Sequence, residues 1–287
     1  MEISSSWGII AALLSGLFSS VAFTIQKNQL SDTPRYYYYE KRWWFGFMIL
    51  FVSGLLKSFS YTIIPASVVI SLSIISLPLN YLFSKNKEKC RFSIIGGTIC
   101  IIVGSVMVSL VVPTSKTIED INTLQKKLLS PKSVIYHAFV FITCIVIHYF
   151  IYPKQNATTK IQLIGLSIYS SISHSIAIVW SKALFIVIMN MENNCCLHLL
   201  WIPYVGFIIS TILGFWSVAF VEQKGLSSYM QTKWVPVHFI TSLISFTAAG
   251  ILVFDEWVHM KFSNPTIAIL TSSSIILIWG VVLVAST

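Results

Sequence analysis

The sequence predicts an all-α polytopic membrane protein of about nine transmembrane helices, built as two inverted four-helix repeats joined by one connector helix. Three observations carry this. Hydrophobic residues make up 55% of the 287 residues and charged residues only 10%, against roughly 25% charged in a soluble domain. Apolar runs long enough to cross a bilayer fill most of the chain. Those runs tile it as four, one and four.

The expected spans are 7–26, 43–61, 63–83, 92–112, 133–152, 161–188, 198–220, 229–254 and 267–285. The first is long and is followed by loop charge, so it reads as a span and not as a cleaved signal. The run 161–188 contains His174 and Lys182 but is too apolar and too long for a loop. Lipid offers no partners to backbone polar groups, so each run must be helical. Candidate breaks within helices are Pro65, Pro78, Pro203 and Pro236, although membrane helices also tolerate proline as a simple kink. The whole chain reads as one transmembrane domain, with repeat one at 7–112, loop and connector helix at 113–152, and repeat two at 161–285.

The net charge is +9, from 19 Lys and Arg against 10 Asp and Glu. Most basic residues fall in short loops, so the expected partner is the anionic cytoplasmic leaflet and not nucleic acid. Odd-numbered loops carry Lys27, Arg35, Lys41, Arg42, Lys85, Lys87, Lys89, Arg91, Lys154, Lys160 and Lys224; even-numbered loops carry Lys116, Lys126, Lys127, Lys132 and Lys261. The excess puts the odd loops in the cytoplasm, the N-terminus outside or luminal and the C-terminus inside. Asn156-Ala157-Thr158 is then a cytoplasmic sequon and stays bare. Cys90, Cys100, Cys144, Cys195 and Cys196 have neither metal-ligand nor redox spacing.

The repeat has faint sequence echoes. Phe23-Thr-Ile-Gln-Lys27 closes the first span and Ile178-Val-Trp-Ser-Lys182 stands near the end of the sixth. Pro65-Ala66-Ser67 is matched by Gly225-Leu226-Ser227. A single connector makes the sixth span run opposite to the first, the inverted topology of many secondary transporters, which bind substrate near the midplane.

Several stretches resemble one family. Ser19-Ser20 with Lys27, Trp43-Trp44-x-Gly46, Tyr61 with Pro65-Ala66, Gly104-Ser105-x-Met107-Val108 before Pro113, Lys182, Lys224-Gly225-Leu226, Val235-Pro236-Val237 and Phe254-Asp255-Glu256-Trp257 resemble, in order and spacing, the NIPA-type magnesium transporters of the drug/metabolite transporter superfamily. The resemblance implies a transporter of Mg²⁺ or another divalent cation, working by alternating access between inverted repeats. Departures accompany it. Where the family has Gly-Glu in the second helix and Asn three residues on, this chain has Gly54 and Lys57. The Val-Thr-Pro stretch of the third helix becomes Val69-Ile70-Ser71.

No acidic residue falls in the middle of an expected span. Glu222 is placed at the cytoplasmic end of the seventh, and Asp255 and Glu256 at the outer end of the eighth; these three are the candidate metal ligands. Lys57 and Lys182 lie inside spans, and Lys224 and Lys233 flank the start of the eighth. A lysine at mid-depth costs at least ~2.5–3.5 kcal/mol, so it faces the bundle interior or snorkels to the headgroups. Lys57, Lys182, Glu222, Lys224 and Lys233 are therefore candidates for the substrate pathway or gate. Glu222 is expected to neutralise Lys224 or another lysine across the repeat interface. Ser67, Ser71, Ser73, Ser228 and Thr232 offer oxygen ligands to a hydrated ion, or pack as ordinary membrane serines and threonines. His174, among Ser171, Ser173 and Ser175, is either a proton-carrying pathway residue or, like His238, an interhelical hydrogen-bonding group.

A lysine on the path repels Mg²⁺ by roughly 5 kcal/mol at ~6 Å. The same fold with a lysine-lined cavity would suit anions such as nucleotide-sugars or phosphorylated metabolites. A scaffold or lipid-binding subunit has no need of inverted halves. No paired acid and base, nucleophile elbow or H-E-x-x-H marks an enzyme, and no cofactor is expected beyond Mg²⁺ as cargo. The expected surroundings are a plasma membrane or endomembrane bilayer, and Gly96-Gly97 and Gly104 could serve either a homodimer contact or packing within one chain.

Overall fold

The computed structural model of the protein describes residues 5–32, 39–83, 92–111, 121–150, 160–189, 201–255 and 263–285. Cys90, Cys195, Cys196, Asn156 and Glu256 lie outside the described residues. Among the described residues every element is helical. The order is α1 (Ser5–Asp32), α2 (Lys41–Ile63), α3 (Ala66–Leu72), a 3₁₀ turn (Ser73–Ile75), α4 (Ser76–Phe83), α5 (Phe92–Val111), α6 (Ile121–Leu128), α7 (Pro131–Phe150), α8 (Lys160–Met189), α9 (Trp201–Trp216), a π segment (Ser217–Glu222), α10 (Gln223–Ser228), α11 (Gln231–Phe254) and α12 (Asn264–Ala285).

Seven of these helical stretches are long and apolar enough to cross a membrane, and two shorter apolar helices, Val68–Asn80 and Phe92–Val108, occupy the third and fourth expected spans. The exterior is large and apolar, as lipid contact requires: Phe92, Ile135, Phe139, Ile161 and Ile212 are all well exposed. The interior is where the hydroxyls gather. Ser15, Ser20, Ser60, Ser105, Ser167, Ser170, Ser171, Ser175 and Ser273 are fully buried. Each hydroxyl turned inward avoids desolvation in lipid and lets helices approach closely. Ser60 Oγ, for example, donates to Gly8 O on α1 at 2.6 Å, and Ser53 Oγ donates to Ser15 O at 2.8 Å. The most enclosed span is α11, which packs on α8, α3, α4, α7 and α12.

Helices α5 and α12 cross at two glycines. A Cβ on Gly97 would stand 2.7 Å from Gly280 O, and one on Gly280 would stand 2.8 Å from Gly97 O. Seven residues further along α5, Gly104 meets Ser273 O and Leu277. The residue numbers rise on one helix as they fall on the other, so the pair is antiparallel. These small residues pack within one chain. Gly97→Val is expected to lower thermal stability in detergent by about 1–3 kcal/mol; an unchanged melting temperature would contradict this contact.

Two chain breaks have the same form. Between α2 and α3, Ile64 (φ −129°, ψ 155°) and Pro65 (φ −57°, ψ 146°) are extended. Between α10 and α11, Tyr229 (φ −125°, ψ 156°) and Met230 (φ −60°, ψ 141°) repeat those angles. Ile64 N–H donates to Ser60 O and Tyr229 N–H to Gly225 O, both at 3.0 Å. Pro65 O and Met230 O each accept from the amides three and four residues on. The first break fits a proline, whose fixed φ suits the turn before a helix. The second has none, and Pro236 instead sits inside unbroken α11. Proline is thus neither sufficient for such a break nor required by it: Pro78, Pro203 and Pro236 all lie within helices.

The seventh span runs past its expected end at 220. Helix continues through the π segment and α10 to Ser228, giving a 28-residue span, Trp201–Ser228. Lys27 Nζ, from α1, donates to Leu226 O and, at 2.9 Å, to Tyr229 O, satisfying carbonyls at the end of α10. At the other end of the bundle, Lys127 Nζ donates to Phe254 O at 2.9 Å. There α11 stops at Asp255, which is left-handed (φ 53°), a conformation Asp tolerates better than most residues. Lys127 belongs to α6, a short amphipathic helix inside the expected 113–132 loop, with Leu124 and Leu128 buried.

Candidate functional site

Helices from both halves of the chain enclose a cavity of about 360 Å³. From α1 come Ser19 and Phe23; from α2, Ser53, Gly54, Lys57 and Ser58; from the 3₁₀ turn and the start of α4, Ser73 and Ser76. From α8 come His174 and Ser181; from α9 and the π segment, Thr211, Gly214 and Glu222; from α11, Trp234, His238, Ser242 and Phe246. The walls are largely apolar, with few polar groups, the ordinary make-up of a selective small-ligand site.

One carboxylate organises the polar part. Glu222 is fully buried. It is the last residue of the π segment. The extra residue per turn in π geometry rotates a side chain relative to a regular helix, and such segments recur at functional sites. Ser170 Oγ donates to Glu222 Oε1 at 2.8 Å. His238 Nε2 is 2.9 Å from the same oxygen, a hydrogen bond when the ring nitrogen carries the proton. His174 Nδ1 is 3.5 Å from it. The other oxygen, Oε2, is buried and has no hydrogen-bond partner.

The imidazoles are held as well. His238 Nδ1 is 3.1 Å from Ser242 Oγ, and Ser170 Oγ is 3.3 Å from His238 Nε2. The two His rings face one another with centroids 6.1 Å apart and planes inclined by 23°. Trp234 packs edge-on against His238, centroids 5.7 Å apart. Gly225 allows this, since a Cβ there would run into the Trp234 ring. The ligand atoms of His174, Glu222 and His238 all lie within 4.8 Å of one another.

Lys57 reaches the same cavity from α2. Its Nζ is 5.9 Å from the centre of the Phe246 ring, and it is close enough to Glu222 for Coulombic attraction between them. Glu222 was expected to pair with Lys224 or another lysine; its direct neighbours are the two histidines and Ser170, with Lys57 as the lysine that faces it. Burying an unpaired carboxylate costs several kcal/mol. Here the charge is offset by hydrogen bonds and a nearby ammonium, while one oxygen stays unused.

Of the residues singled out from sequence, Gly54, Lys57, Ser73, His174, Glu222 and His238 meet at the cavity. The others stand elsewhere. Lys182 is buried with its Nζ 4.4 Å from the centre of the Phe254 ring, a cation–π geometry. Lys224 and Ser228 are half-buried in α10, Lys233 is half-buried in the first turn of α11, and Thr232 beside it is buried. Ser71 is buried in α3, and Ser67 lies in the first turn of that helix. Asp255 pairs at 3.6 Å with the well-exposed Lys132, a contact of little energetic weight. It is 17 residues from His238 on one continuous helix, roughly 25 Å, so it shares no ion with Glu222. Glu222 lies in the last quarter of its span, yet it brings a fully buried carboxylate to the cavity, because the helix that carries it runs six residues beyond it. Sequence reasoning also left out His238 and Ser170 as partners of that acid.

Residues 4–287 match the family Magnesium transporter NIPA. The chain is 22% identical over 263 residues to "Probable magnesium transporter NIPA2" of Arabidopsis thaliana, covering 87% of this chain and 77% of that protein. It is 25% identical over 266 residues to "NIPA-like protein 2" of Homo sapiens, covering 89% and 67%. It is 22% identical over 258 residues to "Magnesium transporter NIPA1" of Mus musculus, covering 86% and 77%. No solved structure matches it significantly. With a family match over nearly its whole length and a bundle of apolar helices to carry it, this chain is an integral membrane protein and belongs to the magnesium transporter NIPA family.

Proposed function

We propose that the protein moves a divalent cation across its membrane by alternating access between two inverted four-helix halves, α1–α5 and α8–α12, with α7 as the connector. The observation that carries this reading is the buried Glu222 carboxylate, one oxygen unused, on a cavity between those halves. The names of the relatives supply the cation.

Internal correspondence supports the inverted halves. The two extended breaks differ by 165 in residue number, 64 and 65 against 229 and 230. The same offset relates Lys57 to Glu222 and Ser73 to His238. Ser15 of α1 touches Ser73 (Oγ to Oγ, 3.4 Å) as Ser170 of α8 touches His238. Packing agrees too: α1 lies on α2 as α8 lies on α9, α3 packs on α11, and α5 packs on α12. The halves thus present opposite charges from equivalent positions to one vestibule. A cation arriving at Glu222 displaces the attraction of Lys57. Such an exchange shifts the conformational equilibrium to the extent that the ion binds one facing state more tightly than the other.

The direct test is uptake into liposomes containing the purified protein, read with a divalent-sensitive dye. Entry of Mg²⁺ or another divalent ion above empty liposomes is expected; background entry for every divalent ion removes the reading. Tags on the two termini are expected to report opposite faces, N-terminus outside and C-terminus cytoplasmic, and both on one face would remove the inverted arrangement.

One observation favours anionic cargo, the presence of Lys57 in the cavity. It is the one lysine among the described lining residues, and Glu222 offsets it. Sugar-nucleotide or phosphate-ester exchange lost in Lys57→Ala would favour that alternative over the cation.

A further inference from the structure

We propose that His174, Glu222 and His238 form a binding centre for a borderline-soft transition-metal ion such as Zn²⁺, at which Mg²⁺ is only a weak competitor. As a statement about cargo, this rests on the divalent-cation reading above; as a binding site it stands by itself.

Donor chemistry comes first. Mg²⁺ takes oxygen ligands in octahedral geometry and keeps its waters, held by one or two carboxylates. Imidazole nitrogen suits Zn²⁺ and its transition-metal neighbours. This centre offers two imidazoles and one carboxylate, which is the ligand set of an open zinc site with a further position for water or an exchanging ligand.

Geometry agrees. Zinc bonds of ~2.0–2.2 Å place neighbouring ligand atoms roughly 3.0–3.5 Å apart. His238 Nε2 and His174 Nδ1 are already 2.9 and 3.5 Å from Glu222 Oε1. All the ligand atoms fit within 4.8 Å, so small side-chain rotations suffice to close the set. The ligands come from three separate helical stretches, α8, the π segment and α11, which fixes their relative placement.

Two further observations point to a ligand and not to a packing accident. Glu222 Oε2 is buried and without a hydrogen-bond partner, an acceptor available to an incoming ion. His238 Nδ1 is backed by Ser242 Oγ at 3.1 Å. With Nδ1–H donating to that hydroxyl, the Nε2 lone pair is aimed at the carboxylate side of the centre, the arrangement in which an outer partner orients a metal-binding imidazole. The cavity gives the ion a way in, and both His174 and His238 line it.

The test uses the full chain, purified in detergent, stripped with chelator and titrated with Zn²⁺ against a chromophoric competitor, and with Co²⁺ as a spectroscopic stand-in. One Zn²⁺ per chain is expected, undisplaced by a thousandfold excess of Mg²⁺. Co²⁺ should give d–d bands of a nitrogen and oxygen site without thiolate charge transfer. Glu222→Gln and His238→Gln, each eluting as a monodisperse species, should weaken Zn²⁺ by about a hundredfold. Zinc binding that is absent, or equal in wild type and both variants, overturns the proposal and leaves only a hydrogen-bonded triad. Flux separates this from the broader reading. If Mg²⁺ crosses while Zn²⁺ does not bind, the centre falls and transport stands. If Zn²⁺ binds at these residues and no divalent ion crosses, the centre stands and transport falls.

Discussion

Glu222→Gln is expected to reduce divalent-cation flux about a hundredfold while leaving the protein folded. The carboxylate is the negative charge placed at the cavity, wholly buried. A dication at ~3 Å from it gains on the order of 10 kcal/mol at an effective dielectric of ~20, before the ion's own desolvation is subtracted. A net loss of about 2.7 kcal/mol, a small part of that, already corresponds to a hundredfold weakening. Folding should survive because the amide keeps the volume and most hydrogen bonds. Ser170 Oγ, which now donates to Oε1, can donate equally to an amide oxygen placed there, which can also accept from His238 Nε2–H. The measurement is initial uptake rate in liposomes, with elution volume and melting temperature as controls. Glu222→Asp retracts the charge by one methylene and should recover part of the flux, which a merely structural role would not produce. Unchanged uptake in the Gln variant would show that the ion does not pass this carboxylate.

The residues that sequence did and did not reveal divide by physical cause. Apolar helices were legible because lipid demands long apolar runs: seven observed stretches are long and apolar enough to cross a membrane, and two shorter apolar helices fall on the third and fourth expected spans. Misplacement came where polar residues were read as a boundary. Glu222-Gln223-Lys224 looks like the end of a span by hydropathy, yet the helix continues, since Glu222 and Gln223 face inward and Lys27 satisfies the carbonyls at the end of α10. No composition signal marks the π segment that turns Glu222 toward the two histidines. Their meeting depends on α8 packing against α11, a contact between residues 64 apart in the chain. Ser171 Oγ on Thr241 Oγ1 at 2.7 Å and on Ser242 Oγ at 3.0 Å locks that pair. Two histidines inside spans were visible; that they shared one acid was not. The amphipathic α6 was in principle readable from Leu124 and Leu128 four residues apart, but eight residues among lysines resemble a loop.

Restoring the family's pattern in α2, with Gly54→Glu and Lys57→Asn together, is expected to tighten Mg²⁺ about a hundredfold and to shift preference away from Zn²⁺. Both positions line the cavity and lie three residues apart, on one face of the helix. A Cβ at Gly54 meets nothing within 4 Å, so a glutamate enters without steric cost and removes a glycine from a helix interior, worth up to about 1 kcal/mol to the fold. Electrostatics act in the same direction at both sites. Removing the ammonium lifts a repulsion of roughly 5 kcal/mol at ~6 Å, and a second carboxylate adds attraction. Even a net 2.7 kcal/mol after desolvation accounts for the hundredfold. The added oxygens suit Mg²⁺ more than Zn²⁺, whose preference for the imidazoles is unaffected. Each single change separates the causes. Lys57→Asn alone should improve all divalent ions alike, because it removes only charge repulsion. Gly54→Glu alone should pair the new acid with Lys57 and change little. Competition between Mg²⁺ and Zn²⁺ in the same liposomes reads the ratio directly. A double variant with unaltered Mg²⁺ affinity would mean that α2 does not face the ion, and that the charge opposite Glu222 serves the fold alone.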